Sequence, residues 1–469
     1  MGSIHPLLKL IIFPLVLLFI FSGASAGNTF QDRGEEQEQE EEKEKVRVGI
    51  TLKDDFIEFA LEDDDKLTDK SDDFDLELEP GSYKILQNNT KLEIVNESGE
   101  NKGKFKAPLY LKPDPSSEPY FTIDNAEMGK RYRGQLEISS NSSNSEIIAV
   151  NLLDVESYLQ GVLPREIPSS WGDQGGMEAL KAQAVAARGY TMSSLEQNRH
   201  NDYDLCDTQH CQVYGGIGGE HNNTNEAVAA TKGQVLKYGE ELITPFYHAT
   251  NAGFSETPQN VWNSDLPYYT SVPDPYDDPQ SEKNVVQHRH SSWEEIVPMY
   301  KLNEYLLQND YADVGEVLDL TVRSTFESGR VEELYIQGTE GSESLIRESA
   351  RWAFDLKSQL FSIKGEAEPE VWVATKGQGE ESKHSISSLQ GKRVLNASQE
   401  KELQGGKFTA VGSENRNTVP YPSYIFQGRG FGHAIGMSQN GAYNRSRAGY
   451  NYAEILEFYY PGTEIDELD

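Results

Sequence analysis

One glutamate stands out as a candidate for chemistry, because Glu166 lies between two prolines in the segment 158–168. Pro164 and Pro168 both restrict the backbone, so we expect Glu166 on a stiff, non-helical connection among apolar neighbours. Such surroundings raise the pKa of a carboxyl group and allow it to donate a proton near neutral pH. A surface glutamate in a turn is the alternative interpretation.

Two isolated cations follow on a predicted helix. Lys181 and Arg188 are the only charged residues between Glu178 and Glu196, and the helix predicted over 177–195 is otherwise rich in alanine and leucine. Seven residues separate the two cations, which places them on one helix face two turns apart. They either pair with buried acids or line a groove that binds polar substrate groups.

The chain's two cysteines lie close together, at Cys206 and Cys211, with histidines at His200 and His210. Two thiolates and one imidazole would form a three-ligand zinc set with an open fourth place, and the two histidines compete for the third position. A small-loop disulfide is the alternative, and it suits an exported protein. The spacing alone does not choose between them.

Two further segments combine polar side chains with turn residues. His248 is predicted at the end of a strand before a polar turn, where a single histidine is usually structural. The segment 428–442, which contains Gln439, is dense in glycine and predicts special backbone angles or close approach by a ligand. Its spacing is not that of a dinucleotide or phosphate loop.

The helices and strands predicted around these residues indicate an α+β fold. We predict a β-rich N-terminal region over 46–145 and a mixed α+β domain over 146–469, with a polar loop insertion near 377–407. The helical patterns that matter below are one that ends before Pro164, the alanine-rich helix, and helices over 293–307 and 344–357.

The N-terminal segment and the net charge indicate where the protein acts and which class of partner is disfavoured. Residues 1–26 carry an apolar run followed by an A-x-A signature, which predicts a signal peptide or a membrane anchor, and residues 27–45 read as an acidic linker. The folded part is therefore expected outside the cytoplasmic membrane, either secreted or anchored at the face of the cell wall. A formal net charge of −35 argues against a nucleic-acid partner.

Six segments in order resemble the stage II sporulation protein D family, whose shared domain also occurs in amidase-enhancer proteins of the cell wall. The resemblance covers about 151–463. Ala252 and Ala434 depart from it, since both stand where the family usually has glycine. The matching segments are 158–168, 178–188, 211–216, 247–250, 271–274 and 428–442.

The resemblance implies a function and a set of roles. It implies a lytic transglycosylase that cleaves peptidoglycan strands lacking stem peptides and leaves 1,6-anhydro-muramoyl ends. The rival is a noncatalytic wall-binding activator of an amidase; in either case a wall amidase or a membrane-bound recruiter is an expected partner. The implied roles are catalysis by Glu166, substrate binding by Lys181, Arg188, His248 and Gln439, and a structural zinc ion on His200, Cys206 and Cys211.

Overall fold

The fold combines several antiparallel sheets with eight α-helices over the part of the chain that the computed structural model describes. That part confirms the α+β prediction, with 26% helix and 37% strand. Residues 1–44 and most of the predicted insertion at 377–407 lie outside it. The described residues are 45–61, 65–69, 75–88, 91–112, 120–140, 146–367, 393–395, 400–402, 409–411, 416–418 and 423–468.

A seven-stranded sheet joins the N-terminal region to the segments of the family resemblance. Its strand Lys45–Ile50 pairs with Ile147–Asp154 on one side and with Leu205–Cys206 on the other. The predicted boundary at 145/146 therefore does not separate two sheets. In spatial order the strands are Leu205–Cys206, Lys45–Ile50, Ile147–Asp154, Gln135–Ser140, Leu109–Lys112, Asp65–Asp69 and Asp75–Leu78.

A six-stranded sheet completes the N-terminal region. Its strand Phe56–Leu61 alternates as the sequence predicts, so that Ile57 and Phe59 are fully buried while Glu58 between them is partly exposed. This alternation packs one face of the sheet into the largest apolar core. The strands in order are Arg131–Arg133, Tyr120–Ile123, Phe56–Leu61, Gly81–Asn88, Lys91–Asn96 and Asn101–Lys106.

The central helix is the alanine-rich one, α2, and its prediction is confirmed. Its Ala184 packs in the core of the N-terminal sheets, whereas Val185 packs in a second core with the C-terminal helices. A helix that is buried on two sides has little surface exposed to solvent, which explains why α2 is rich in alanine. The helices are α1 Val155–Glu166, α2 Met177–Gln197, α3 Asn222–Ala230, α4 Pro258–Trp262, α5 Met299–Gln308, α6 Ser349–Ala353, α7 Gln439–Arg447 and α8 Tyr452–Tyr459.

Two predicted helices are correct over only part of their length. Residues Trp293–Pro298 form a strand because Ser423–Gly428, far along the chain, pairs with them, and α5 begins only at Met299. Residues Ser342–Ile346 are the edge strand of a sheet, so the helix predicted over 344–357 shrinks to α6. In both places a distant or neighbouring strand overrides the local pattern.

These strands build what we call the distal lobe, residues 293–367 together with 423–428. It has its own apolar core, in which Leu302, Leu334 and Phe426 are fully buried. Two three-stranded sheets form it, one of Trp293–Pro298, Ser423–Gly428 and Phe361–Ala367, the other of Val317–Thr325, Val331–Gly338 and Ser342–Ile346.

The remaining pairings are short. Tyr247–His248 and Met437–Ser438 run parallel, and Gln234–Tyr238 lies between Glu241–Leu242 and Glu464–Glu467. Two hairpins lie in the chain between Phe361–Ala367 and Ser423–Gly428, namely Arg393–Leu395 with Glu400–Glu402 and Thr409–Val411 with Arg416–Thr418. Among the described residues, no helix is both long and apolar enough to cross a membrane.

Candidate active site and metal cluster

Glu166 lines a groove with a volume of about 1700 Å³. The groove runs past the C-terminal end of α1, the strand Tyr247–His248, α4 and α6, so the main domain and the distal lobe both contribute to it. It is lined by an unusual number of aromatic side chains, namely Trp171, Tyr190, Phe246, Tyr247, Trp262, Trp352 and Phe431.

Glu166 is the last residue of α1, and not part of a non-helical connection as the sequence predicted. The helix continues through Pro164, and the backbone N–H of Ile167 donates to the carbonyl of Leu163 at 3.0 Å. Leu163 and Ile167 are both buried. Their burial stabilises a final turn that the proline alone would disfavour.

Among the described residues, the carboxyl group of Glu166 accepts one hydrogen bond, and the side chain is only partly exposed. The backbone N–H of Val213 donates to Oε1 at 3.1 Å. Burial raises the pKa of Glu166 to about 7, because desolvation of the charged form outweighs that one hydrogen bond. Nearby, Gly161 allows α1 to pack closely against Tyr214, since a Cβ there would lie 2.5 Å from the ring. The carboxyl group is therefore available as an acid near neutral pH.

His248 lies in the groove wall as a neutral imidazole. Burial lowers its pKa to about 3. Its Nδ1 lies 3.1 Å from the carbonyl oxygen of Ile435 and donates to it, which leaves Nε2 as an acceptor with no partner in the described structure. Gly432 packs against this histidine so closely that a Cβ would come within 2.8 Å of the His248 Cβ.

The glycine-dense segment has the special backbone angles that the sequence predicts. Gly430, Gly432 and Gly436 all have positive φ. The two alanines that replace family glycines also have positive φ, 56° at Ala252 and 67° at Ala434. The glycine preference at both positions is thus a backbone requirement, which this chain meets with strained alanines.

Gln439 is buried at the first position of α7, where it lines the groove and its amide donates to Gln183 Oε1 at 3.3 Å. The loops that carry Gln439 and His248 are held together by Asp277, a buried residue that the sequence reading missed. Asp277 accepts hydrogen bonds from Thr250 Oγ1 at 2.8 Å and from Ser438 Oγ at 2.6 Å.

The structure does not bring Lys181 and Arg188 to the groove. The Arg188 guanidinium is fully buried and donates to both carboxylate oxygens of Glu156, at 2.8 and 2.7 Å, and to the carbonyl of Gln234 at 3.0 Å. Lys181 pairs with Glu178 one turn away at 2.7 Å. The structural-pairing alternative therefore describes both cations, and the substrate-binding expectation does not.

We expect Arg188→Met to lower the free energy of unfolding by about 3 kcal/mol or more, because it leaves the Glu156 carboxylate without its buried partner. Lys181→Met, which removes a partly exposed pair, should change it by less than about 1 kcal/mol. Urea unfolding of both variants measures the difference. Equal and small losses would contradict the structural role of Arg188.

The two cysteines and the two histidines of the segment 200–211 lie close together. We call this group, His200, Cys206, His210 and Cys211, the metal cluster. One ligand atom from each lies within 4.8 Å of the others. The two sulfur atoms are 3.0 Å apart and both cysteines are free, so there is no disulfide. His200 Nε2 is 3.3 Å from Cys211 Sγ, and His210 Nδ1 is 3.7 Å from Cys206 Sγ.

The imidazole–sulfur distances fit a tetrahedral metal ion, whereas the sulfur–sulfur distance of 3.0 Å is shorter than such an ion requires. Ligands about 2.0 to 2.3 Å from a common centre lie roughly 3.3 to 3.8 Å from each other. Two sulfurs and two imidazoles would form a closed set around one ion, so both histidines of the expected competition are placed to act as ligands. The cluster borders the groove, because Gln209, His210 and Cys211 line it.

The distal lobe supplies groove residues that sequence reasoning missed. Trp262 Nε1 donates to Glu348 Oε2 at 2.7 Å, Arg351 pairs with the same carboxylate, and Arg347 Nη2 donates to Asn263 Oδ1 at 3.2 Å. The ring of Trp352 is 60% exposed. The sequence analysis assigned 344–357 to a helix and therefore did not predict this wall of the groove. The two arginines close to a tryptophan in that segment were a signal that could have indicated a binding surface.

Comparison with known proteins adds a family to this geometry. Residues 143–238 match the family model described as Stage II sporulation protein. The amidase enhancer of Bacillus subtilis is 29% identical over 404 residues, which cover 82% of this chain and 50% of that protein. Stage II sporulation protein D is 26% identical in Bacillus subtilis, over 68% of this chain and 77% of that protein, and 25% identical in Bacillus amyloliquefaciens, over 68% and 76%.

These matches confirm the family recognised from the six motifs. The chain spans about half the length of the amidase enhancer that it matches. The family model ends at residue 238, so Glu166, α2 and the metal cluster fall within it, whereas the glycine-dense segment and the distal lobe lie beyond it.

Proposed function

Because the chain belongs to the stage II sporulation protein D and amidase-enhancer family, we propose that it is a lytic transglycosylase acting on peptidoglycan strands that lack stem peptides. The observation that carries this proposal is one carboxyl group, Glu166, with a pKa raised to about 7 in an aromatic groove. The aromatic rings offer apolar surfaces for sugars, and the protonated carboxyl offers an acid at the bond to be broken.

One carboxyl group suffices for the reaction. Glu166 donates its proton to the glycosidic oxygen as the bond from that oxygen to C1 of the muramoyl residue breaks. The C6 hydroxyl of the same residue then bonds to C1, and its proton passes to Glu166, which restores the acid. The product has a 1,6-anhydro ring and no water is consumed.

A two-carboxylate hydrolase is less compatible with the groove. Such an enzyme needs a second free carboxylate as a nucleophile or base. The other glutamate lining the groove is Glu348, and it already accepts from Trp262 and pairs with Arg351. This occupied carboxylate supports the intramolecular reaction, whose nucleophile belongs to the substrate.

The pH dependence follows from the acid role. We expect kcat/KM on stripped glycan to be constant below neutral pH and to fall about tenfold per pH unit above about 7, because only protonated Glu166 can donate. A pH–rate profile from pH 5 to 9 measures this. A rate that rises through pH 7 would contradict the assignment, since it would require the ionised carboxylate.

For the metal cluster we propose zinc, held by His200, Cys206, His210 and Cys211. Thiolate and imidazole donors favour zinc over hard cations. When bound, the ion would fix the segment that borders the groove. Val213 follows Cys211 by two residues, and its N–H donates to Glu166. The metal ligands thus position the backbone group that contacts the acid.

The rival function is a noncatalytic activator of a wall amidase, which the name of the relative with 29% identity favours. Both functions place the protein outside the cytoplasmic membrane, in keeping with the apolar N-terminal segment, and both make a wall amidase or a membrane-bound recruiter a partner. Mass analysis of soluble fragments separates them, because only the enzyme releases anhydro-ended sugars by itself.

A further inference from the structure

Hydrogen bonds join the distal lobe to the segments that border the groove. Arg330 is fully buried and donates through Nη2 to the carbonyl of Asn251 at 2.9 Å, three residues beyond His248. Glu348 and Arg347 contact α4 and its C-terminal Asn263. The lobe is therefore a fixed wall of the groove, and its side chains can select substrate.

This wall and its surroundings are rich in arginine. Arg165, Arg289, Arg347 and Arg351 all line the groove that contains Glu166. The chain as a whole has 77 acidic residues for 42 basic ones, so most cations can find an acidic partner. Of these four arginines, only Arg351 has a carboxylate within 4.0 Å among the described residues. The groove thus keeps unneutralised positive charge in a strongly acidic protein.

Arg347 is the best placed of the unpaired three. Its side chain is partly buried and oriented by the amide oxygen of Asn263, whereas Arg165 and Arg289 are exposed. Its backbone has a φ of 56°, and its N–H donates to the carbonyl of Glu332 at 2.8 Å. A bulky residue held in the left-handed region is a sign of strain, which clusters at binding sites.

An oriented guanidinium without an acid partner is suited to a carboxylate, which it binds through two parallel hydrogen bonds. In peptidoglycan the stem peptide is attached by an amide to the lactyl group of muramic acid. Removal of the peptide by an amidase frees that carboxylate. A stripped strand therefore carries, on its sugars, an anion that an intact strand lacks.

We propose that Arg347 binds the free lactyl carboxylate of a stripped muramoyl residue and is the side chain by which the groove selects glycan without stem peptides. This inference rests on the proposed function for its substrate class. The two exposed tryptophans in the same groove, Trp262 and Trp352, provide surfaces for the sugar rings. Because the proposed contact pairs a guanidinium with a carboxylate, affinity for the stripped strand should weaken as the salt concentration is raised.

Binding in a Glu166→Gln background tests the proposal without turnover. Calorimetry would compare a stripped muramoyl–glucosamine oligosaccharide with the same oligosaccharide carrying methylamidated lactyl groups. We expect the acid form to bind about tenfold to a hundredfold more tightly, as a charge-assisted hydrogen bond allows. Arg347→Gln should reduce its affinity to that of the amide form and leave the amide form's affinity unchanged, which also shows that the variant is folded.

Arg323→Gln is the matched control, since Arg323 lies on the same lobe but pairs with Glu333 at 3.0 Å and does not line the groove. It should change neither affinity. If Arg347→Gln does not fold, Arg347→Lys keeps the charge and should retain only part of the preference.

Equal binding of the acid and amide forms by the parent, or unchanged preference in the Arg347 variants, would overturn the inference. Neither result depends on bond cleavage. The inference can therefore fail while the transglycosylase proposal stands, and the reverse is equally possible.

Discussion

Replacing Glu166 by glutamine is expected to reduce the release of anhydro-ended fragments from stripped glycan at least a hundredfold, the lower bound for losing a general acid and base. The amide keeps the shape of the side chain and an oxygen that can accept from the N–H of Val213. It has no proton of suitable acidity to give to the glycosidic oxygen. The loss should therefore appear in kcat more than in KM.

Two measurements keep this prediction specific. Glu196→Gln changes an exposed glutamate at the end of α2 and should leave the rate unchanged. Thermal unfolding should show no loss of stability in either variant, because neither substitution removes a buried ion pair and glutamine avoids the cost of a desolvated carboxylate. If Glu166→Gln keeps the parent's output of anhydro ends, Glu166 is not the catalytic acid.

Removal of the metal is expected to give the largest loss of stability. A ligand present at a thousand times its Kd stabilises a folded protein by about 4 kcal/mol. We expect one zinc ion per chain in protein purified under reducing conditions, and a clear fall in Tm when a chelator removes it. Because glycosidic cleavage needs no metal-bound nucleophile, the reaction of the remaining folded protein should change less than its stability.

The control is the Cys206→Ser, Cys211→Ser double variant, whose Tm a chelator should leave unchanged. His200→Ala and His210→Ala should each weaken zinc binding, since the structure places both imidazoles in the cluster. A chain without zinc and with a Cys206–Cys211 disulfide would contradict the prediction. Zinc lost only in His210→Ala would remove His200 from the ligand set.

Local patterns predicted those elements whose burial is decided by their own sequence. The alanine-rich composition of α2 and the alternation of Phe56–Leu61 each indicate burial from the segment's own pattern. The helix predicted over Trp293–Pro298 was wrong because this segment pairs as a strand with Ser423–Gly428, which lies far along the chain. Pairing of that kind is decided by tertiary structure and leaves little local signal.

The same distinction applies to the site. Glu166 and the four metal-cluster residues lie in short segments with a recognisable pattern, so the sequence could indicate them as candidates. For Lys181 and Arg188 the sequence left two alternatives, because only the structure shows that Glu156 lies beside Arg188. Arg347 was missed for a third reason: the fold brings a residue of the distal lobe to a groove whose acid lies far earlier in the chain.

As a lytic transglycosylase, this protein should break glycan strands by itself. The most direct test incubates the purified protein with amidase-treated peptidoglycan, with no amidase present, and measures the soluble sugars by mass spectrometry. We expect fragments ending in 1,6-anhydro-muramic acid, each lighter by one water than a hydrolytic product. Binding to the glycan without release of such fragments would contradict it and would support the amidase activator instead.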